Sequence, residues 1–327
     1  MENKRELISQ TFNFSKTSRV PVGFWFHFLS EAESGDILED PHLLVRNLEG
    51  HRRFLEAFQP DLVKIMTDGF FRYPMASNIP GYLSLGGIQK LTLSHPWIER
   101  QLELATKVRS LDPKNTFFYN IFSPSTFLRF LLGFENYFSL LNSYTSIVRE
   151  ILLEMGDLLG DFASLLIKEC YLDGIYLSVQ NPNIFSYSSE FYAQNIAPGE
   201  LLVLEKAREA GGKNILHICG YAGIKNRLND FREYPAQAIS YAANVENVSL
   251  KEARDLFSGK VIIGGFPNTP GSLLTTGSEE EIRNFTKGLI KDFGPGLIVG
   301  ADCTVPNDIS LERLSWVREA ARISELF

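Results

Sequence analysis

The chain holds only three cysteines in 327 residues. Three thiols cannot build a disulfide framework, so the small disulfide-stapled class is excluded. A basic cluster is also missing. Lys and Arg number 32 against 39 Asp and Glu, a net charge of −7, and a nucleic-acid partner is not expected. No apolar run reaches the ~18 residues that a membrane span needs. Met1-Glu-Asn-Lys-Arg-Glu6 lacks the basic-then-apolar layout of a secretion signal. With thiols best kept reduced, the expected location is the cytoplasm, with no membrane association. No linker, low-complexity tract or short repeat divides the chain, so 1–327 is read as one domain.

What is present is ordered. Eight strand-like runs occupy residues 20–26, 62–66, 116–122, 174–179, 214–219, 237–241, 261–266 and 296–301. Most are near-continuous apolar runs, the pattern of parallel strands buried on both faces. Helical periodicity fills the gaps. Residues 41–58 read as one helix, and 135–169 as two broken near Gly156 or Gly160. Residues 199–210 read as a helix stopped by Gly211-Gly212. Ser249 with Glu252, and Ser278 with Glu281, have the spacing of capping boxes. Ser310 opens the last helix as N-cap. Eightfold strand–helix alternation predicts an α/β fold of the (β/α)8 TIM-barrel type with right-handed crossovers. Its chemistry would lie at the carboxyl ends of the strands. The connections at 68–96 and 180–198 are then active-site loops. Phe is abundant, with 25 residues, and serves either core packing or an aromatic-lined pocket.

Two strand ends carry unusual residues. One is Asn214-Ile-Leu-His-Ile-Cys-Gly220, and the other is Val299-Gly-Ala-Asp-Cys-Thr-Val-Pro306. Alternate strand residues face the same way, so His217 and Cys219 project together. Cys303 ends a second strand. One imidazole and two thiols suit Zn²⁺, and three protein ligands leave a fourth place open, as in catalytic sites. The alternative is that buried thiols are inert packing. Cys170, in a helix-like stretch, is read that way.

Other candidates have weaker patterns. Asp302 precedes Cys303 and either orients a ligand or caps a loop. Asp68 ends the second run and either accepts a substrate N–H, orients His217, or turns the chain with Gly69. His27 is either a packed core histidine or a substrate contact. Gln180 and Asn181 follow the fourth run, where polar groups often touch substrate. Gly264-Gly265 suits a phosphate or a tight turn. Ser123 has no neighbouring base, so a Ser/His/Asp triad is not supported.

Several segments together resemble the uroporphyrinogen decarboxylase superfamily, whose fold is a (β/α)8 barrel. They are Arg19-Val-Pro-Val22, Asp61-Leu-Val-Lys-Ile-Met-Thr-Asp68, Phe122-Ser-Pro-Ser-Thr126, Gly264-Gly-Phe266 and the stretch from Phe293 to Cys303. Within that superfamily, His-x-Cys followed far downstream by Cys is the zinc motif of corrinoid-dependent methyltransferases. The resemblance implies zinc held by His217, Cys219 and Cys303, a methylated corrinoid on a partner protein, and a small-molecule thiol as acceptor. The alternative is a cofactor-free decarboxylase of a porphyrinogen-like substrate. The decarboxylases carry an arginine-containing stretch after the first strand, where this chain has Phe24-Trp-Phe-His-Phe-Leu-Ser30. Asp68 does match their pyrrole-binding Asp. A third reading is a zinc- or corrinoid-binding relative without activity. Several of the methyltransferases place a Glu ligand after the sixth strand, where this chain has Ala238-Ile-Ser-Tyr-Ala-Ala-Asn244. The fourth zinc position would then be filled by water, substrate, Glu246 or Asp302.

Overall fold

A computed structural model describes residues 3–29, 35–74, 91–181 and 184–322. Residues 75–90 of the connection expected at 68–96 lie outside the described residues. Seven of the expected runs are strands: Leu62–Ile65 (β1), Thr116–Phe122 (β2), Gly174–Val179 (β3), Ile215–Ile218 (β4), Ala238–Tyr241 (β5), Val261–Phe266 (β6) and Leu297–Ala301 (β7). They form one sheet in chain order, every neighbouring pair parallel.

The first expected strand is not regular. Residues 20–26 touch the sheet through one parallel bridge, Val22 with Val299. Pro21 has no N–H to donate. The Val22 N–H goes to the Asp61 carboxylate at 2.9 Å instead of to a strand carbonyl. The segment still joins both edges. Gly23 donates to the Val299 carbonyl, Val299 to that of Pro21, and Asp61 to that of Val22. The result is a barrel-like α/β fold whose seven-stranded sheet is spanned by an irregular segment.

The helices in chain order are Lys4–Phe12 (α1), His42–Phe58 (α2), Pro96–Leu111 (α3), Pro124–Leu132 (α4), Phe134–Ser143 (α5), Thr145–Lys168 (α6), Ser189–Asn195 (α7) and Ala197–Glu209 (α8). Then come Ala243–Glu246 (α9), Leu250–Leu256 (α10), Leu273–Thr276 (α11), Glu279–Phe293 (α12) and Leu311–Ala320 (α13). The break expected at Gly156 or Gly160 falls instead at Tyr144, between α5 and α6. The two glycines lie inside α6 because α8 crosses there. A Cβ on Gly156 would collide with the Gly199 carbonyl. Both capping boxes form, whereas the Ser310 side chain makes no cap hydrogen bond. Cys170 lies just past α6, buried, with its sulfur 3.4 Å from Thr106 Oγ1. No helix among the described residues is long and apolar enough to cross a membrane.

Strand parity separates two cores. Trp25, Leu62, Met66, Phe118, Tyr176, Ile215, Val261, Ile263 and Ile298 fill the concave face, with Ile8 and Phe12 of α1 joining them. The opposite face packs against the helices.

One buried polar group ties α2 to β1. His51 is fully buried; Nδ1 donates to the Asn47 carbonyl and Nε2 accepts from the Met66 N–H, each at 3.0 Å. Burial lowers its pKa from the usual 6.5 to about 4. Since the folded form binds its proton less readily than the unfolded form, stability falls with acidification across that window. His51 contributes fully above about pH 6.5 and loses on the order of 3 kcal/mol by about pH 4. Urea unfolding should show this slope in the wild type and a flatter one in His51→Gln. A histidine NMR signal from His51 titrating near 6.5 would refute the assignment.

Candidate metal centre

β4 ends at Ile218, and His217 and Cys219 share the concave face. The Cys219 N–H still donates to the Val179 carbonyl at 2.9 Å, which keeps the residue aligned past the strand end. β7 ends at Ala301, and the Asp302 N–H bonds the Phe266 carbonyl at 2.9 Å. The chain turns there and sends Cys303 inward. The curvature of the sheet brings these strand ends together. Cys219 Sγ lies 4.0 Å from Cys303 Sγ, and Cys303 Sγ lies 3.4 Å from His217 Nε2. All three donor atoms fall within 4.8 Å of one another. Two Zn–S bonds of about 2.3 Å at a tetrahedral angle put sulfurs about 3.8 Å apart, and a Zn–S with a Zn–N bond spans about 3.6 Å. The donor chemistry suits a zinc ion, and the two Cys303 spacings are close to these values.

The surrounding groups hold these donors in place. Ser240 Oγ lies 3.1 Å from His217 Nδ1, which leaves Nε2 facing the sulfurs. The Tyr176 hydroxyl donates to the same Ser240 oxygen at 3.2 Å. Its ring stacks on the imidazole, with centroids 5.3 Å apart. Asn226 Nδ2 donates to the Cys219 carbonyl at 3.1 Å.

Neither acid considered as a fourth donor joins the cluster. Both Glu246 oxygens accept from the Asn226 N–H, at 2.9 and 3.0 Å. Asp302 Oδ2 accepts from the Asn244 N–H at 3.0 Å and from its side-chain amide at 2.7 Å. Among the described residues, no carboxylate belongs to the His217–Cys219–Cys303 group. Burial pushes both carboxyls up, and these hydrogen bonds oppose it. The hydrogen bond from Cys219 lowers the Cys303 pKa, and the same bond raises that of Cys219.

The remaining sequence candidates are placed as follows. Asp68 does not orient His217. Its Oδ1 lies 2.6 Å from His27 Nδ1, and its Oδ2 accepts from the N–H groups of Phe28 at 2.6 Å and Leu29 at 3.2 Å. His27 is not a packed core residue: its side chain is 42% exposed while Asp68 is buried. Gln180 accepts from Arg129 Nη2 at 2.6 Å. Asn181 is buried, with Ser125 at 3.1 Å on its oxygen and Tyr192 at 3.0 Å on its nitrogen. Those partners also bind the buried Glu200 carboxylate. Asn181 therefore joins a buried polar network with Ser125, Tyr192 and Glu200. Gly264 and Gly265 lie inside β6, not in a turn after it. Ser123 caps α4 by accepting from the Thr126 N–H.

Residues 85–323 match the family model described as uroporphyrinogen decarboxylase (URO-D). The chain belongs to the uroporphyrinogen decarboxylase family. No curated protein matches it. Its fold is similar to a solved methyltransferase from Methanosarcina mazei, with a TM-score of 0.73, 12% identity and 98% of each chain covered. A glycoside hydrolase family 5 enzyme from Prevotella bryantii superposes less well, at a TM-score of 0.51, 10% identity and 99% of each chain. At these identities the likeness speaks for the fold alone.

Two of the buried cations of this uroporphyrinogen decarboxylase family member, Lys64 and Arg129, act on the donors and were not among the candidates read from the sequence. Lys64 of β1 is 7% exposed, its Nζ 4.2 Å from the Tyr176 ring centroid and 5.5 Å from that of Trp25. Burial lowers its pKa to about 8, against the pull of Cys303, Cys219 and Asp68. Arg129 of α4 is 6% exposed, with its guanidinium 4.7 Å from the Tyr221 ring centroid. Both cations act to lower the pKa of Cys219. The signal was there: each interrupts an apolar run, Leu62-Val-Lys-Ile-Met66 and Phe127-Leu-Arg-Phe-Leu131.

Proposed function

We propose that this chain is a zinc-dependent methyltransferase that moves a methyl group from a methylated corrinoid to a small-molecule thiol. The reading includes a (β/α)8 barrel in which residues 20–26 take the eighth strand place. It also includes a cytoplasmic setting and a corrinoid carried by a partner protein. The observation that carries it is the convergence of His217, Cys219 and Cys303 at the carboxyl ends of β4 and β7, with no fourth donor in the group among the described residues. Those three would hold the metal. Bound zinc would keep a thiol deprotonated near neutral pH while leaving its sulfur nucleophilic. The methylated corrinoid would supply the methyl group, and the thiol held at the His217–Cys219–Cys303 centre would supply the sulfur that accepts it. The thiol proton is released.

The chain's own residues prepare this reaction. Ser240 and Tyr176 set the His217 ring. Asn226 fixes the Cys219 backbone. Asp302 braces the Cys303 turn through Asn244, a positioning role. The Asp68-held His27 and Gln180 are the polar groups assigned to meet substrate.

The decarboxylase alternative draws less support. Asp68 would have to accept pyrrole N–H groups, yet its oxygens already serve His27 and two backbone amides. No arginine stands in residues 24–30 to bind carboxylates. A closed, binding-only site would need a further protein donor.

The test uses protein purified without chelator. It should carry about one zinc per chain. With methylcobalamin and a panel of thiols, mass spectrometry should detect a methyl thioether whose formation stops on zinc removal and returns on zinc addition. Protein that carries no zinc and takes up none would end this reading.

A further inference from the structure

We propose that Lys64 is a positioning residue that sets the charge of this centre, so that its open place selects an anionic sulfur over a neutral donor. The inference rests on the zinc reading above and deepens it. β1 alternates, so Lys64 shares the concave face with Leu62 and Met66. Apolar and aromatic residues on that face include Trp25, Phe118 and Tyr176. A lysine placed there is costly unless anions face it. Cys303 and Cys219, anionic when they hold a metal, and the Asp68 carboxylate are the groups that favour its charged form.

A continuous stack connects Lys64 to the donors. Its ammonium sits 4.2 Å from the Tyr176 ring centroid. That ring lies 5.3 Å from the His217 ring at 28°, and its hydroxyl bonds Ser240, which holds His217 Nδ1. The concave face therefore places the Lys64 ammonium beneath the donor set.

Charge counting gives the consequence. A divalent ion with two thiolates is neutral. A third thiolate makes the centre an anion in a poorly solvated interior, which is unfavourable unless a cation offsets it. Lys64 is that cation. A neutral ligand such as imidazole adds no charge and gains nothing from it.

The experiment loads wild type, Lys64→Met and Lys64→Arg with Co²⁺ as a coloured substitute and titrates each with 2-mercaptoethanol and with imidazole. The d–d absorption bands report binding at the metal. Lys64→Met should keep the metal and bind the thiolate about tenfold more weakly, the scale of one unit charge acting across a partly screened interior. Its imidazole affinity should not fall, and Lys64→Arg should restore most of the thiolate affinity. Loss of metal in Lys64→Met but not in Lys64→Arg also supports the charge role. Equal weakening of both ligands, no change in either, or loss of metal in both variants overturns it. A wild-type protein that takes up neither Zn²⁺ nor Co²⁺ sinks the zinc reading itself, before any variant is compared.

Discussion

Cys219→Ala should leave the protein almost without zinc, with affinity lowered more than a hundredfold. Losing an outer hydrogen-bond partner costs only about 10–100-fold, and here a direct donor goes. The cluster contains three protein donors among the described residues, so losing one sulfur leaves two. Glu246 and Asp302 are tied to Asn226 and Asn244. Cys170→Ala is the matched control. That thiol lies away from the cluster, against Thr106 and the Leu102 carbonyl, and burial raises its pKa. Its removal should leave zinc content unchanged. Because the donors bind as thiolates, zinc occupancy of the wild type should also decline as pH falls. Elemental analysis of the three proteins decides the matter. Full zinc in Cys219→Ala would mean that the cluster is not the metal site.

Which residues converge was legible only in part. The pairing of His217 with Cys219 follows from the two-residue period of a strand. Cys303 does not follow from it. Val299 and Ala301 pack on the helix side of β7 while Ile298 faces inward, so a continued strand would have turned Cys303 outward. The turn at Asp302, held by Phe266 and Asn244, reverses that. The partners of Glu246 and Asp302 lie 20 and 58 residues away, and no local pattern announces them. Gly156 looked like a helix break because local propensity cannot show that a crossing helix needs the space. The strand-like 20–26 misled for a similar reason. Its composition is that of a strand, but the group that captures the Val22 N–H comes from Asp61.

That capture points to the largest stability effect expected in the fold. Arg19 and Asp61 form a buried two-pronged ion pair, both contacts 2.6 Å. The same carboxylate holds the Val22 N–H, and the Asp61 N–H holds the Val22 carbonyl. One residue before β1 thus fastens the segment that spans the sheet edges. Asp61→Ala would remove the carboxylate that faces a buried guanidinium and orphan a buried amide. Breaking one side of such a pair costs about 3–5 kcal/mol, and urea unfolding at neutral pH should register a loss of that size. The double change Asp61→Leu with Arg19→Met removes both charges and should recover much of it, since apolar replacement of a buried pair is often neutral. Recovery should stay incomplete, because Val22 still lacks its acceptor. A single-variant loss below about 1 kcal/mol, the range of a surface ion pair, would show that the pair does not hold the segment. Trp25 and His27 hang from that same segment, so thiol binding at the metal should weaken in Asp61→Ala even where the protein remains folded.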